Sequence, residues 1–364
     1  MNYEGKYSAF ILFHTSSIII HTLKNGVRKM ILNPFEVNAF NFVSLTNAIN
    51  ILPNNYGRLR ELGVFPDKGI TTRVALVEEQ NGVLNLLATQ PIGAPEQQNR
   101  MGKRKVRAFN VPHIPLGDVI IASEFESVRA FGSESEVETL ATVINTHMQA
   151  AKDKYAITLE HLRMGALKGI ILDADGSLLY NLFSEFGIEQ NYVDFDLSTP
   201  TTDVRAKCMQ VLRVMEDNLR GEVMSTPRAL VSADFFDALT GHATVKAVFD
   251  NTGAAVQYMG GDIRKGFSYG GILFEEYRGT ASDASGTTRK FIKDGEGHCF
   301  PQGTMGTFKT IYAPADFLET VNTIGIPLYA KQDVTQYNRG ISLHIQSNPL
   351  PMCFRPGVLV KLVA

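Results

Sequence analysis

The chain has 364 residues, 44% of them hydrophobic and 20% charged, with a net charge of −2. This is globular composition with enough chain for two or three cores, and the charge balance excludes a strongly basic nucleic-acid coat or a polybasic membrane surface. Cys208, Cys299 and Cys353 are odd in number and far apart, which predicts a reduced, cytosolic chain without structural disulfides or zinc. No apolar run reaches the roughly 18 residues a membrane span needs.

Residues 8–23 (SAFILFHTSSIIIHTL) are broken by His14, Thr15, Ser16, Ser17 and His21, with no A-x-A-like site after them, which argues against a secretory signal. A short extra strand fits better. A start at Met30, leaving residues 1–29 as an upstream extension or a disordered segment, fits better still. Residues 30–70, punctuated by Pro34, Pro53, Asn54, Asn55, Gly57 and Pro66, are expected to form an arm lying along something else, such as a neighbouring copy. From Thr72 the pattern becomes β: Thr72–Glu79 and Val83–Thr89 flank Asn81-Gly82, a strong hairpin signal because both turn positions need positive φ. Pro91–Gly102 is a polar tip, and Lys103–Leu116 returns as a strand, so 71–117 is read as a protruding β-arm. It carries Arg100, Lys103, Arg104, Lys105 and Arg107. A solvated face explains these cations, and no aromatics are interleaved for base stacking. Docking on acidic residues of an adjacent subunit is the third reading, with Glu124, Glu126, Glu134, Glu136 and Glu138 as candidates.

Ser133 to Gly169 is predicted as one helix about 50 Å long. Ser133 and Glu136 have capping-box spacing. Val137, Leu140, Ile144, Met148, Ala151, Tyr155, Leu159, Leu162 and Ala166 form one apolar stripe, with Lys152, Lys154, Glu160 and Arg163 off it. Lys168 and Gly169 supply a stop. No second helix of that length exists to pair with it, so it is read as the spine of an elongated subunit.

A hairpin follows (Ile170–Leu172, a turn at Asp173–Gly176, Leu178–Phe183). A helix capped by Thr201 or Thr202 then runs to Arg220, burying Val204, Cys208, Val211, Met215 and Leu219. Arg228–Val231 is a buried strand between short helices at Ser232–Leu239 and Ala243–Phe249. From Thr252 the pattern is β and loop. Residues 279–290 are expected as a flexible surface loop, Asp316–Thr323 as a short helix, and Ile341–Gln346 and Val358–Val363 as closing strands around the proline-bearing 349–356 stretch.

Residues 170–179 (IILDADGSLL) resemble the first motif of haloacid-dehalogenase-type phosphatases, with Asp173 as nucleophile and Asp175 as acid/base beside Mg²⁺. Against it, the motif follows a very long helix, no Asp-Asp pair lies downstream, and Asp175-Gly176 is itself a turn signal. Gly261–Ser268 has Phe267 where a P-loop needs lysine. His298-Cys299 lacks partners spaced for zinc. No catalytic residue, cofactor or metal site is expected.

The order of these parts resembles the tailed-phage major capsid proteins of the Hong Kong 97-type α+β fold, in particular the lambda-like branch, the capsid protein E family. Residues 228–251 (RALVSADFFDALTGHATVKAVFDN) look like that branch's strand-then-helices core. The stretch from Arg339 (RGISLHIQSNPLPMCFRPGVLVKLVA) is similar to its ending, and Asn33-Pro34-Phe35 after Met30 also suits it. The resemblance implies an N-terminal arm at 30–70, an extended E-loop at 71–117, and a peripheral domain at 118–198 holding the spine helix 133–169. It further implies an axial domain at 199–329 and C-terminal strands at 330–364 returning to the peripheral sheet. It implies a structural protein of the virion capsid, assembled in the host cytoplasm as hexamers and pentamers of a homo-oligomeric icosahedral shell that encloses double-stranded DNA without sequence-specific binding. Portal, scaffold or maturation protease, and decoration protein are the implied partners, with no membrane. Isopeptide cross-linking is not expected. An encapsulin-type compartment of the same fold is the alternative, and the phosphatase a remote one. The Arg100–Arg107 cluster is expected to dock on a neighbour's Glu134, Glu136 and Glu138.

Overall fold

The structure is a computed structural model, and it describes residues 42–51, 57–80, 104–122, 124, 136–246, 248–250, 262–283 and 285–364. Its axis is a 33-residue helix, Glu136–Lys168, about 50 Å long at the usual rise per residue. Ser133 lies outside the described residues. At the other end Gly169 turns left-handed, at φ +80°, and a Cβ there would come 2.3 Å from the Phe183 ring, so only glycine fits this stop.

The two halves of this spine are wrapped differently. Val143, Ile144, Met148, Ala151 and Tyr155 pack against Leu45 and Ile49 of a helix at Phe42–Ile51 and against a three-stranded sheet through Ile120, Ile341, Leu343 and Ile345. That sheet runs Tyr329–Val334, Gly340–Ser347, Ile114–Ile121, antiparallel throughout. Lower down, Leu162, Met164, Ala166 and Leu167 lie in a second core with Leu59, Phe65, Ile311 and Leu350. A second three-stranded sheet (Asp67–Gly69, Phe308–Tyr312, Pro349–Cys353) contributes to that core, which also holds Cys353.

A third core lies in a six-stranded mixed sheet. Its strand order is Asn191–Asp194, Val360–Val363, Glu296–Gln302, Ser225–Val231, Ile272–Glu276, Phe267–Tyr269. The helix Val204–Leu219 covers it with Val204, Cys208, Val211 and Met215, and the helix Ala233–Gly241 adds Phe235, Phe236 and Leu239. Cys299 is buried among them.

Several expectations change. The stripe holds at Ile144, Met148, Ala151, Tyr155, Leu162 and Ala166, but Lys152, Glu160 and Arg163 are buried too, each at 5% exposure or less. Protein surrounds the lower spine on more than one side, and each buried charge has polar partners. The Lys152 ammonium donates to the Ile49 and Asn50 carbonyls, at 2.7 and 3.1 Å. Arg163 donates to Asp67 and to the Thr310 hydroxyl. The 42–51 part of the expected arm packs on its own spine, because Leu45 and Ile49, one helical turn apart, both face it.

Strand 74–80 pairs with Arg104–Asn110; residues 81–103, which hold the expected Asn81-Gly82 turn, lie outside the described residues. The hairpin's second strand stops at Asn181, which caps a short helix at Leu182–Phe186. Asp203, not Thr201 or Thr202, caps the 204–219 helix by accepting from Ala206 N–H. Residues 279–290 form a small antiparallel hairpin, Thr280–Ser282 with Thr288–Lys290, its turn organised by the Asp283 carboxylate. The proline-bearing stretch supplies the strand Pro349–Cys353. The last strand, Val360–Val363, pairs with Asn191–Asp194, inside the span expected as peripheral, and with Glu296–Gln302, inside the span expected as axial; one six-stranded sheet thus takes strands from both sides of residue 199.

Candidate assembly interface

Arm geometry follows from strand alternation. Residues facing each other across an antiparallel pair share a face, and the register runs from Val74 opposite Asn110 to Gln80 opposite Arg104. Ala75, Val77 and Phe109 point inward and are buried. Phe109 meets the Tyr180 and Phe186 rings with centroids at 5.4 and 6.3 Å. The Arg107 guanidinium lies 4.9 Å from the Phe186 ring centre and donates to the Glu185 carbonyl. The arm root is thus clamped to the 178–186 segment of its own chain. The opposite face presents Leu76 and Val106 to solvent, at 68% and 57% exposure, beside exposed Ala108.

A second apolar surface lies at the arm's foot. Leu318, Val321 and Ile324 are largely exposed, and Leu318 and Val321 line a cavity of about 270 Å³ together with Thr71, Arg73 and Phe317. A third is an open sheet edge: 114–121 has one strand partner among the described residues, with Val119 and Ile121 outward. Exposed apolar groups on a rigid, partly paired scaffold suit association with another chain.

Of the expected contact residues, Arg100, Lys103 and Glu134 lie outside the described residues. The backbone, without side chains, is described for Arg104, Glu136 and Glu138. Lys105 is exposed and stands opposite Glu79 in the register, while Arg107 serves its own subunit. Glu124 accepts from His147 at 3.2 Å, and the other nitrogen of that ring bonds Asp118 at 2.7 Å.

Buried charges that sequence reasoning missed tie the parts together. Glu275, 6% exposed in its side chain, accepts from Arg58 Nε at 2.6 Å and from Arg228, which is 12% exposed. It joins the short helix Arg58–Glu61 to the six-stranded sheet. Glu160 on the spine accepts from Leu59 N–H at 2.9 Å and the Tyr277 hydroxyl at 3.1 Å. For Glu275 the one available signal was a carboxylate closing the apolar run Ile272–Phe274.

Burial pushes the Glu160 pKa above its ordinary value of 4.5, outweighing the hydrogen bonds and the nearby Arg163 charge. The folded chain therefore holds a proton that the unfolded chain has lost, and stability falls as pH rises from 4.5 through the raised value. Glu160→Gln keeps an acceptor for Leu59 and Tyr277 and removes the charge. It is expected to abolish that slope and to raise the thermal midpoint at neutral pH, read by calorimetry across a pH series. A Gln variant with the wild-type slope would refute the assignment.

The IILDADGSLL stretch is spent on a turn: Asp173 N–H donates to Ser177 O, and Asp175 accepts from the Ser177 amide and hydroxyl. No helix among the described residues is long and apolar enough to cross a membrane.

A long spine, a clamped β-arm and a separate sheet-and-helix core define the class of phage capsid proteins with the Hong Kong 97-type fold. Solved structures share the arrangement. A protein described as a capsid protein of an E. coli CFT073 prophage matches with a TM-score of 0.58 at 14% identity, covering 89% of this chain and 99% of that one. A phage-related protein from Bordetella bronchiseptica RB50 matches at 0.51 and 10% identity, covering 89% and 97%. Residues 41–364 match the family model for phage major capsid protein E, and the chain belongs to that family. Curated major capsid proteins of Salmonella phage Felix O1 and Pseudomonas phage KPP10 are 29% and 30% identical, each match spanning 90% of this chain and at least 97% of the relative. This is a structural family, not an enzyme family, and membership sets aside the phosphatase reading.

Proposed function

We propose that the chain is the shell-forming subunit of an icosahedral phage head, arranged as hexamers and pentamers around packaged double-stranded DNA. The observation that carries this, beside family membership, is the arm: one face is buried on its own body while Leu76 and Val106 stay bare on the other. A neighbouring copy supplies the missing burial, and heterologous contacts of that kind close into a shell by curvature. Near-neutral charge, −2 overall, suits a lining that must let DNA enter, since a strongly basic surface would hold it by counterion release. A portal, a scaffold or maturation protease, and a decoration protein complete the reading, with assembly in the host cytoplasm.

Within it, the arm cations set register on the acidic start of a neighbour's spine, Glu134, Glu136 and Glu138. Exposed pairs contribute only about 0.2–1 kcal/mol each, so they choose alignment more than they add strength. Because Arg107 holds its own subunit, the test leaves it intact. Reversing Arg100, Lys103, Arg104 and Lys105 to glutamate is expected to cut the yield of closed shells in negative-stain micrographs. Reversing the three glutamates to lysine in the same chain should partly restore it. Normal shells from the first variant would dispose of the docking, and failure of Leu76→Asp with Val106→Asp to impair assembly would dispose of the arm contact itself.

A further inference from the structure

The strand Ile114–Ile121 has one edge without a strand partner among the described residues. Its antiparallel register with Gly340–Ser347 fixes which amides face that edge. Ile120 stands opposite Ile341, and one step on, Ala122 N–H donates to the Arg339 carbonyl. Even-numbered residues therefore direct their backbone groups into the ladder, and Pro115, Gly117, Val119 and Ile121 direct theirs outward. Unpaired edge amides invite a strand from another chain, and the exposed Val119 and Ile121 side chains would favour it.

The chain closes most of these positions itself. Pro115 has no N–H to offer. The Val119 amide donates to Asp118 Oδ1 at 2.9 Å, and the Ile121 amide to Glu124 Oε1 at 3.3 Å. Each carboxylate oxygen occupies the place that the carbonyl of an incoming strand would take. The second oxygen of each carboxylate is held by one residue of the spine: His147 Nδ1 lies 2.7 Å from Asp118 Oδ2, and its Nε2 lies 3.2 Å from Glu124 Oε2. One imidazole thus fixes both caps, and Gly117 is left as the outward amide without such a device.

We propose that Asp118 and Glu124, keyed by His147, form an autoinhibitory guard that keeps the 114–121 edge closed to strand addition. Another chain can pack on Val119 and Ile121 through side chains, but it does not extend the sheet while the guard is in place. This holds whether or not the chain forms shells.

Hydrogen exchange at single-amide resolution on the unassembled full-length chain reads the guard directly. The Val119 and Ile121 amides are expected to be protected although they face outward. In Asp118→Ala with Glu124→Ala both should exchange roughly ten to a hundred times faster, as loss of a hydrogen bond to a charged acceptor implies. Both carboxylate side chains are 38% exposed, and Ile120, whose amide lies in the ladder, should stay slow and report an intact strand. Singly, Asp118→Ala should release Val119 alone and Glu124→Ala should release Ile121 alone, while Asp118→Asn keeps an acceptor and should spare Val119. His147→Leu leaves both carboxylates in place and should speed both amides, the mark of a positioning residue. A labelled peptide copying Gly340–Ser347, which pairs with this strand on its other side, should bind the double alanine variant and not the wild type. Unchanged exchange in the double alanine variant or in His147→Leu, or equal peptide binding by the wild type and the double variant, overturns the proposal.

Discussion

Replacing Glu275 with alanine is expected to destabilise the subunit by about 3–5 kcal/mol, the usual consequence of leaving one partner of a buried ion pair without its counter-charge. Arg58 keeps Glu61 at 2.8 Å. Arg228, 12% exposed and on a central strand, has no second anionic partner among the described residues, so its charge carries the penalty. Against a typical total of about 5–15 kcal/mol, this is a large fraction. Denaturant midpoints at constant m-value measure it, and a loss below about 1 kcal/mol would show Arg228 to be solvated in ways its burial does not suggest. The double variant Glu275→Leu with Arg228→Met should recover most of the loss, because two apolar groups of similar shape often replace a buried pair without penalty.

The second large effect concerns acid. His298 is 5% exposed on a strand at the middle of the six-stranded sheet. Burial, helped by the charges of Lys168 and Lys361, pulls its pKa down to about 3. Between that value and the ordinary 6.5 the unfolded chain binds a proton that the folded chain refuses. Stability therefore rises with pH across this window and is lost as pH falls through it, with a limiting slope of about 1.4 kcal/mol per pH unit. His298→Leu has no proton to bind in either state. The difference in unfolding free energy between the two chains should widen steadily as pH drops from 6.5, before most carboxylates begin to titrate. Parallel profiles would mean that the imidazole protonates freely in the folded chain.

What the sequence disclosed depended on how many partners each element has. The spine was legible because a 3.6-residue pattern sustained from Ile144 to Ala166 admits no other reading. Cys208, Val211 and Met215 likewise declared the buried face of the 204–219 helix, which packs on one side only. Lys152, Glu160 and Arg163 misled because a charged residue reads as solvent-facing unless its partner is known. Those partners (Ile49, Leu59, Tyr277, Asp67) are distant in sequence. The arm was legible only in part: the alternation in Thr72–Glu79 and Lys103–Leu116 marked two strands, but their mutual register is set by the inward packing of Val77 and Phe109, which no local rule contains. Family membership was carried by packing patterns at 228–251 and after Arg339, since no catalytic signature exists to announce a structural protein.

The three thiols are sealed. Cys208 and Cys353 have pKa values pushed up to about 12 by burial, and Cys299 is raised well above its ordinary value by the same cause. A folded subunit thus offers no thiolate to alkylating reagents or oxidants, and copies cannot be stapled through native sulfur without first opening. Cys208 and Cys299 guard one core and Cys353 another, so reagent uptake counts open molecules and tells which half has come apart.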